Sequence, residues 1–315
     1  MRLSVVIVTY KSLGLIDRCL KAFDMRPDIE IIIVENASGD GISEHVRQNY
    51  PSVKFIESSE NLGFAGGNNK AFELCRGQYV LLLNPDAFVE HAELIDQMAD
   101  ILDKNPHVAA LGPRLINVDG SHQVGDAGWR IGFITIFAHA FMLQRLFGSV
   151  QSLYLTNKRL LLKDSLNVDW VCGACMMVRH DVIKQIGGMD TRIFMYGEDI
   201  EWGCRIRDGG WEILYCPVFS VLHLQGATQK LESDNFYSPK WLDDAFNRYQ
   251  MIGSKLGYEV LRYSVYIGYL ARWFTWVTIG RLAGRQGWKN KGRNMLGYAL
   301  HALALPPYHA RCRTE

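Results

Sequence analysis

No excess of charge of one sign marks this sequence: 34 Lys and Arg stand against 33 Asp and Glu, a formal net charge of +1. That near-balance excludes a protein that coats nucleic acid or another polyanion. A disulfide framework is absent too. Of seven cysteines only Cys172 and Cys175 have C-x-x-C spacing, and no second pair completes a zinc site. Both fall in the apolar run 170–178, which predicts a buried strand carrying small buried thiols. The chain opens on an apolar strand rather than on a charged leader, which predicts a cytoplasmic protein. Missing as well is G-x-G-x-x-G after that strand, where Gly14 stands alone. Without those glycines bare backbone has no approach to a dinucleotide pyrophosphate, so an NAD-dependent enzyme is disfavoured.

What is present is a chain of 315 residues, 48% apolar and 21% charged, enough for one large α/β domain or a domain with a substantial extension. Its charge is unevenly placed. Residues 258–315 hold nine Lys/Arg and two Asp/Glu, a surplus of +7, which leaves 25 basic and 31 acidic groups, about −6, in the body.

The body alternates. Residues 3–9, 29–35, 53–58 and 79–83 are short β-branched or apolar runs that predict buried strands. Helical spacing fills 16–23, the stretch ending at Val46, and 68–75. Such alternation predicts a doubly wound, mostly parallel sheet with flanking helices, in which ligands bind beyond the carboxyl ends of the strands. The rule selects Thr9-Tyr10-Lys11, the stretch from Glu35 to Asp40, residues 60–69 and Asn84-Pro85-Asp86.

Taken in order, these segments resemble a known family. Strand-Thr9-Tyr10, Glu35-Asn-Ala-Ser-Gly-Asp40, Asn61-Leu-Gly-Phe-Ala-Gly-Gly-Asn-Asn69 and Leu83-Asn-Pro-Asp86 are similar to family 2 inverting glycosyltransferases of GT-A fold. Trp170-Val-Cys-Gly-Ala-Cys-Met-Met-Val-Arg179, Gly187-Gly-Met-Asp190 and Tyr196-Gly-Glu-Asp-Ile-Glu-Trp202 continue the likeness, which runs over about residues 3–228. Within the family the chain most resembles bacterial rhamnosyltransferases that build cell-surface polysaccharide.

The resemblance implies a nucleotide-sugar donor, dTDP- or UDP-linked, bound by Thr9, Glu35, Asp40, Asn68, Asn84 and Asp86. The glycines of 63–67 would let backbone reach the donor, and a helix start beside them favours its anions. Asp86 stands where the family binds a divalent ion, Mg²⁺ or Mn²⁺, with His223 able to add a nitrogen ligand. The family's first acid is replaced by Asn84, which contributes no negative charge. Asp199 takes the place of the general base that deprotonates the acceptor hydroxyl. On the acceptor side stand Gly173 and Ala174, whose small side chains would let a sugar pass, together with Asp190, Glu198 and a Trp202 platform.

Residues 1–230 are therefore expected to form the catalytic domain, with an apolar acceptor-side insert at 128–165 and a helical, basic extension over 231–315. The insert suits a lid over the acceptor site or packing against the tail. In the extension, Arg262, Arg272 and Arg281 interrupt a dense aromatic and aliphatic stretch. A central Arg disfavours a transmembrane span, so an amphipathic helix on the inner face of the cell membrane is expected; a dimer contact is the competing use. The expected partners are the donor, a saccharide or polyprenyl-linked acceptor, and the membrane surface, with no nucleic acid. A nucleotide-sugar-binding module without catalysis is the alternative that Asn84 keeps open.

Overall fold

The structure, a computed structural model, describes residues 1–23, 26–193, 197–224, 240–282 and 286–308. Tyr196, residues 225–228, Arg285 and Cys312, noted in the sequence, lie outside the described residues, as do the side chains of Arg281 and Lys289. In chain order the elements are β1 (Leu3–Thr9), α1 (Leu13–Leu20), β2 (Ile29–Glu35), α2 (Ile42–Asn49), β3 (Lys54–Glu57), α3 (Gly63–Phe72), β4 (Tyr79–Leu83), β5 (Ala87–Phe88), α4 (Glu93–Lys104) and β6 (Val108–Ile116). There follow β7 (Ala127–Gly128), α5 (Phe133–Ala140), α6 (Leu143–Leu146), β8 (Leu166–Val168), β9 (Trp170–Val171), β10 (Cys175–Arg179), α7 (His180–Ile186) and α8 (Glu198–Asp208). The chain ends through β11 (Glu212–His223), α9 (Lys240–Ile252), α10 (Lys255–Leu282) and α11 (Gln286–Ala304). They form two compact units, 1–128 with 159–233 and 129–158 with 234–315.

The first unit is built on a sheet of order β3-β2-β1-β4-β10-β6-β11-β5, with β8 on β11. β1, β2, β3 and β4 run parallel, β10 is antiparallel to both β4 and β6, and β11 rejoins β6 in parallel. The β-branched run of β1 explains its central place: Val5, Val6 and Ile7 have no exposed surface. Register sets Thr9 beside Glu35 at the carboxyl edge, while β4 delivers Asn84 and Asp86 just beyond the same edge.

Two local expectations are corrected. The helix expected over 68–75 starts at Gly63, so the glycines lie in its first turns. Helix propensity disfavours three glycines by roughly 1 kcal/mol each, but packing decides. A Cβ on Gly67 would stand 2.6 Å from Val8 Cγ1, so α3 lies against β1 only because that position is bare. The run 170–178 is not one strand either: β9 and β10 are separated by a turn at Cys172, Gly173 and Ala174.

The second unit is helical. α10 and α11 lie along each other and α5 packs on α10, where a Cβ on Gly268 would come within 2.9 Å of the Ala140 carbonyl oxygen. Trp241 centres an aromatic cluster with His139, Tyr154, Tyr269 and Tyr298, all with ring centroids between 5.5 and 6.1 Å from its own. Tyr258 and Arg262 of α10 donate to the carbonyls of Pro306 and Leu305, tying down the segment beyond α11.

Candidate active site

Beyond β4, Asp86 and His223 face each other, with Asp86 Oδ1 at 3.3 Å from His223 Nε2 and both side chains nearly buried. β11 ends at His223 and pairs with the short β5, whose Ala87 follows Asp86, so sheet pairing brings the two together across the sequence. The ring orientation is set by Gln123. Its Nε2 donates to the Asn117 side chain and to the His223 carbonyl, each at 3.0 Å, so its Oε1 must be the atom 2.6 Å from His223 Nδ1. The Nδ1–H then donates to Gln123 Oε1, and Nε2 is directed at Asp86.

A divalent ion fits. Two ligands at right angles, each about 2.1 Å from one ion, stand about 3.0 Å apart, close to the separation seen. Asn84 brings its amide within 3.5 Å of His223 Nε2, without charge. Among the described residues no cluster of three or more His, Cys, Asp or Glu could hold an ion, so the pair forms an open, two-ligand seat.

On the other side, α8 begins at Gly197, in the left-handed region at φ 101°, and its first turn holds Glu198, Asp199 and Glu201. Asp199 Oδ2 accepts from the Gly173 N–H at 3.1 Å, and Oδ1 from the Ile200 N–H at 2.8 Å. Burial raises the Asp199 carboxyl above the usual aspartate range, against the opposing pull of those backbone donors. Glu201 is paired to Arg205 at 2.8 Å, and Glu198 is buried beside them.

The turn at 172–174 joins the two sides. Gly173 meets Asp199, and the Ala174 carbonyl accepts from the Asn84 N–H at 2.9 Å. Gly173 is small for a different reason from the one its sequence suggests. A Cβ there would lie 2.8 Å from the Phe64 ring, so the space goes to Phe64 and not to a passing sugar.

At the β1–β2 edge the carboxylates are engaged by their own loop. Glu35 accepts from the Ala37 and Ser38 N–H groups and the Ser38 hydroxyl, and Asp40 from Leu13 N–H and Ile42 N–H at 3.0 and 3.2 Å. Thr9 is buried and donates to Val34 O. Asn68 stands inside α3 rather than at its start, donating to Phe64 O, while Asn36 donates to Gly63 O. The Oδ1 atoms of both amides are buried acceptors with no donor.

Other expected residues lie apart. Asp190 is bound by Arg192, one residue beyond Thr191 in the same turn. Trp202 is corrected outright: it has no exposed surface, stacks on Phe72 at 5.7 Å and donates its indole N–H to Gly187 O, so it is core and no platform. Trp170 is equally buried. Burial pushes the Cys175 thiol up to about 12 and the Cys172 thiol well above its ordinary value, as expected of inert buried thiols. Sequence reasoning missed Gln123, a polar residue in a polar loop whose partner lies a hundred positions away. It also missed Asp126, buried and bonded to His122, Tyr215 and Leu115 N–H.

Residues 4–187 match the family model described as glycosyl transferase family 2. The chain is 29% identical over 250 residues to the N-acetylglucosaminyl-diphospho-decaprenol L-rhamnosyltransferase of Mycobacterium tuberculosis, covering 70% of this chain and 75% of that one. Rhamnosyltransferase WbbL of Escherichia coli K12 is 25% identical over 231 residues, covering 70% and 82%. Among solved structures, the mannosyltransferase PcManGT from Pyrobaculum calidifontis, in complex with GDP-Man and Mn²⁺, superposes with a TM-score of 0.60 at 16% identity, covering 96% and 86%, which supports the fold alone. The chain belongs to glycosyl transferase family 2 and is a nucleotide-sugar-dependent glycosyltransferase.

Proposed function

We propose that this enzyme transfers a sugar, L-rhamnose from dTDP-rhamnose first among candidates, with inversion onto a saccharide carried on a polyprenyl diphosphate lipid in cell-surface polysaccharide synthesis. The observation that carries the reading is the turn at 172–174, which is bonded both to the base candidate Asp199 and to Asn84 beside the Asp86–His223 pair. Inverting transfer needs a base and a leaving-group site on opposite sides of one carbon, in one rigid frame. The names of the relatives supply the sugar and the lipid-linked acceptor.

Asp86 and His223 are assigned the divalent ion, Mg²⁺ or Mn²⁺. When bound, the ion supplies positive charge to the leaving diphosphate. Gln123 holds His223 in the tautomer that can donate a lone pair to it. The free acceptors Asn36 Oδ1 and Asn68 Oδ1, at the end of β2 and on α3, suit the N–H and hydroxyl donors of a pyrimidine nucleoside. Thr9, Glu35 and Asp40 shape that end, the two acids chiefly by fixing the loop. Asp199 accepts the proton of the acceptor hydroxyl as its oxygen bonds to the anomeric carbon and the carbon–diphosphate bond breaks. Its raised pKa makes it a better proton acceptor than an exposed aspartate. Glu198 and Asp190 remain acceptor-side candidates. The second unit is read as the part that meets the cytoplasmic membrane surface where such acceptors reside.

A donor screen by thermal shift, with and without Mn²⁺, tests the reading. One nucleotide sugar at about 100 Kd stabilises by roughly 2.7 kcal/mol, and transfer from it to a lipid-linked saccharide follows. Donor binding without turnover would leave the non-catalytic module standing instead.

A further inference from the structure

α10 presents an apolar face to solvent. Leu256, Val260, Tyr263, Ile267, Phe274 and Leu282 are each between 45% and 84% exposed. Ala271 and Thr278 fill the intervening steps and are also exposed, so the stripe carries no charge from 256 to 278, and Arg281 follows at its far end. The opposite face holds the fully buried Tyr258, Leu261, Val265 and Tyr269, so the stripe is not the helix's core side. An ordinary surface helix has the reverse arrangement on its solvent side.

Period and charge choose the occupant. From Leu256 to Leu282 the stripe advances 26 residues in seven steps, a mean of about 3.7, so it drifts about 80° yet stays on one side of a helix about 42 Å long. The seam of a left-handed coiled coil repeats every 3.5 residues instead. Between 255 and 308 the sequence holds eight Lys/Arg and one acid, Glu259, which is already paired to Arg262 at 2.8 Å. Lys255, Lys291 and Arg293 are exposed. Among the described residues no helix is long and apolar enough to cross a membrane, so contact is with the surface.

We propose that the outward stripe of α10, Leu256 to Leu282, is the face by which this protein rests on an anionic phospholipid bilayer, the exposed Lys255, Lys291 and Arg293 meeting its headgroups. The inference deepens the membrane reading above and rests on it. Flotation of the full chain with phosphatidylglycerol and with phosphatidylcholine vesicles tests it. Ile267→Gln/Phe274→Gln is compared with Ile267→Leu/Phe274→Leu and with wild type, alongside light scattering and the donor thermal shift. Wild type partitions onto the anionic vesicles. The Gln pair loses about a hundredfold, roughly tenfold per side chain, the Leu pair stays within about threefold, and the donor shift is unchanged in all three. Equal partition of wild type and the Gln pair overturns the stripe while leaving membrane association standing. Failure of wild type to bind anionic vesicles overturns both, and equal binding to neutral vesicles overturns the role given to the cations. A wild-type dimer that the Gln pair converts to monomer makes the stripe a self-association face and overturns the proposal.

Discussion

Four acids of the sheet unit and one cation of the helical unit are held in different ways. In the sheet unit, Glu35, Asp40, Asp199 and Glu201 each receive hydrogen bonds from backbone or from a paired Arg. In the helical unit, Arg272 stacks its guanidinium 4.5 Å over the Tyr269 ring, but its Nε and Nη1 are buried with no acceptor. His139, enclosed nearby, is pushed down to about 3 by burial and by the positive charges of Arg272 and Arg145. Polar groups with fixed partners are pre-organised for chemistry, whereas a cation with buried donors left unpaired costs stability.

The largest effect that can break this contrast is on Asp199. Asp199→Asn is expected to lower transfer by about 10²–10⁴-fold with donor affinity near wild type, measured by turnover and by donor titration. Because its folded pKa is raised, Asp199 loses stability as pH rises from the ordinary aspartate range through the folded pKa, and the full cost persists above it. The variant should therefore melt higher than wild type at pH 7, with the gain shrinking on acidification. Next comes Gln123→Leu, which frees the His223 ring. Mn²⁺ affinity without donor, measured by calorimetry, should fall about 10–100-fold; an unchanged affinity removes Gln123 from the site.

Gly67→Ala forces a Cβ against Val8 and should cost about 1–3 kcal/mol, read from denaturant midpoints. The smallest change has the opposite sign. Arg272→Met replaces a cation whose Nε and Nη1 are buried without acceptors by an apolar chain of similar reach and should be neutral or add about 1 kcal/mol. The same substitution raises the His139 pKa, which NMR titration reports. With its folded pKa depressed, wild-type His139 loses stability as pH falls from 6.5 toward about 3, and Arg272→Met should flatten that loss. A strong destabilisation by Arg272→Met would erase the contrast between the units.

Much of the frame was legible in the sequence because β-branched runs announce buried strands, and strand ends announce where ligands bind. Thr9, Glu35, Asn84 and Asp86 follow from that alone. Asp199 needed the ordered motifs, since three acids at a helix start are equally well explained by the helix dipole. What escaped was set by long-range packing. Glycines 63–67 read as a loop, yet the approach of α3 to Val8 makes them helix. Trp202 read as an apolar platform for a sugar, but Phe72 and Gly187 O use both its ring and its N–H. Gln123 lies in a segment with no periodicity, so nothing local marks it.

The turn at 172–174 has one more consequence: it acts as a gauge block. Three residues set the gap between the Asp199 carboxylate and the β4 end at Asn84, the groups proposed above as base and leaving-group side. Adding one residue would change that gap by up to about 3.3–3.6 Å, as much as the whole reach of about 3–3.5 Å within which attacking oxygen and carbon can react. On the proposed roles, the residue count of this turn fixes the spacing across which transfer would occur.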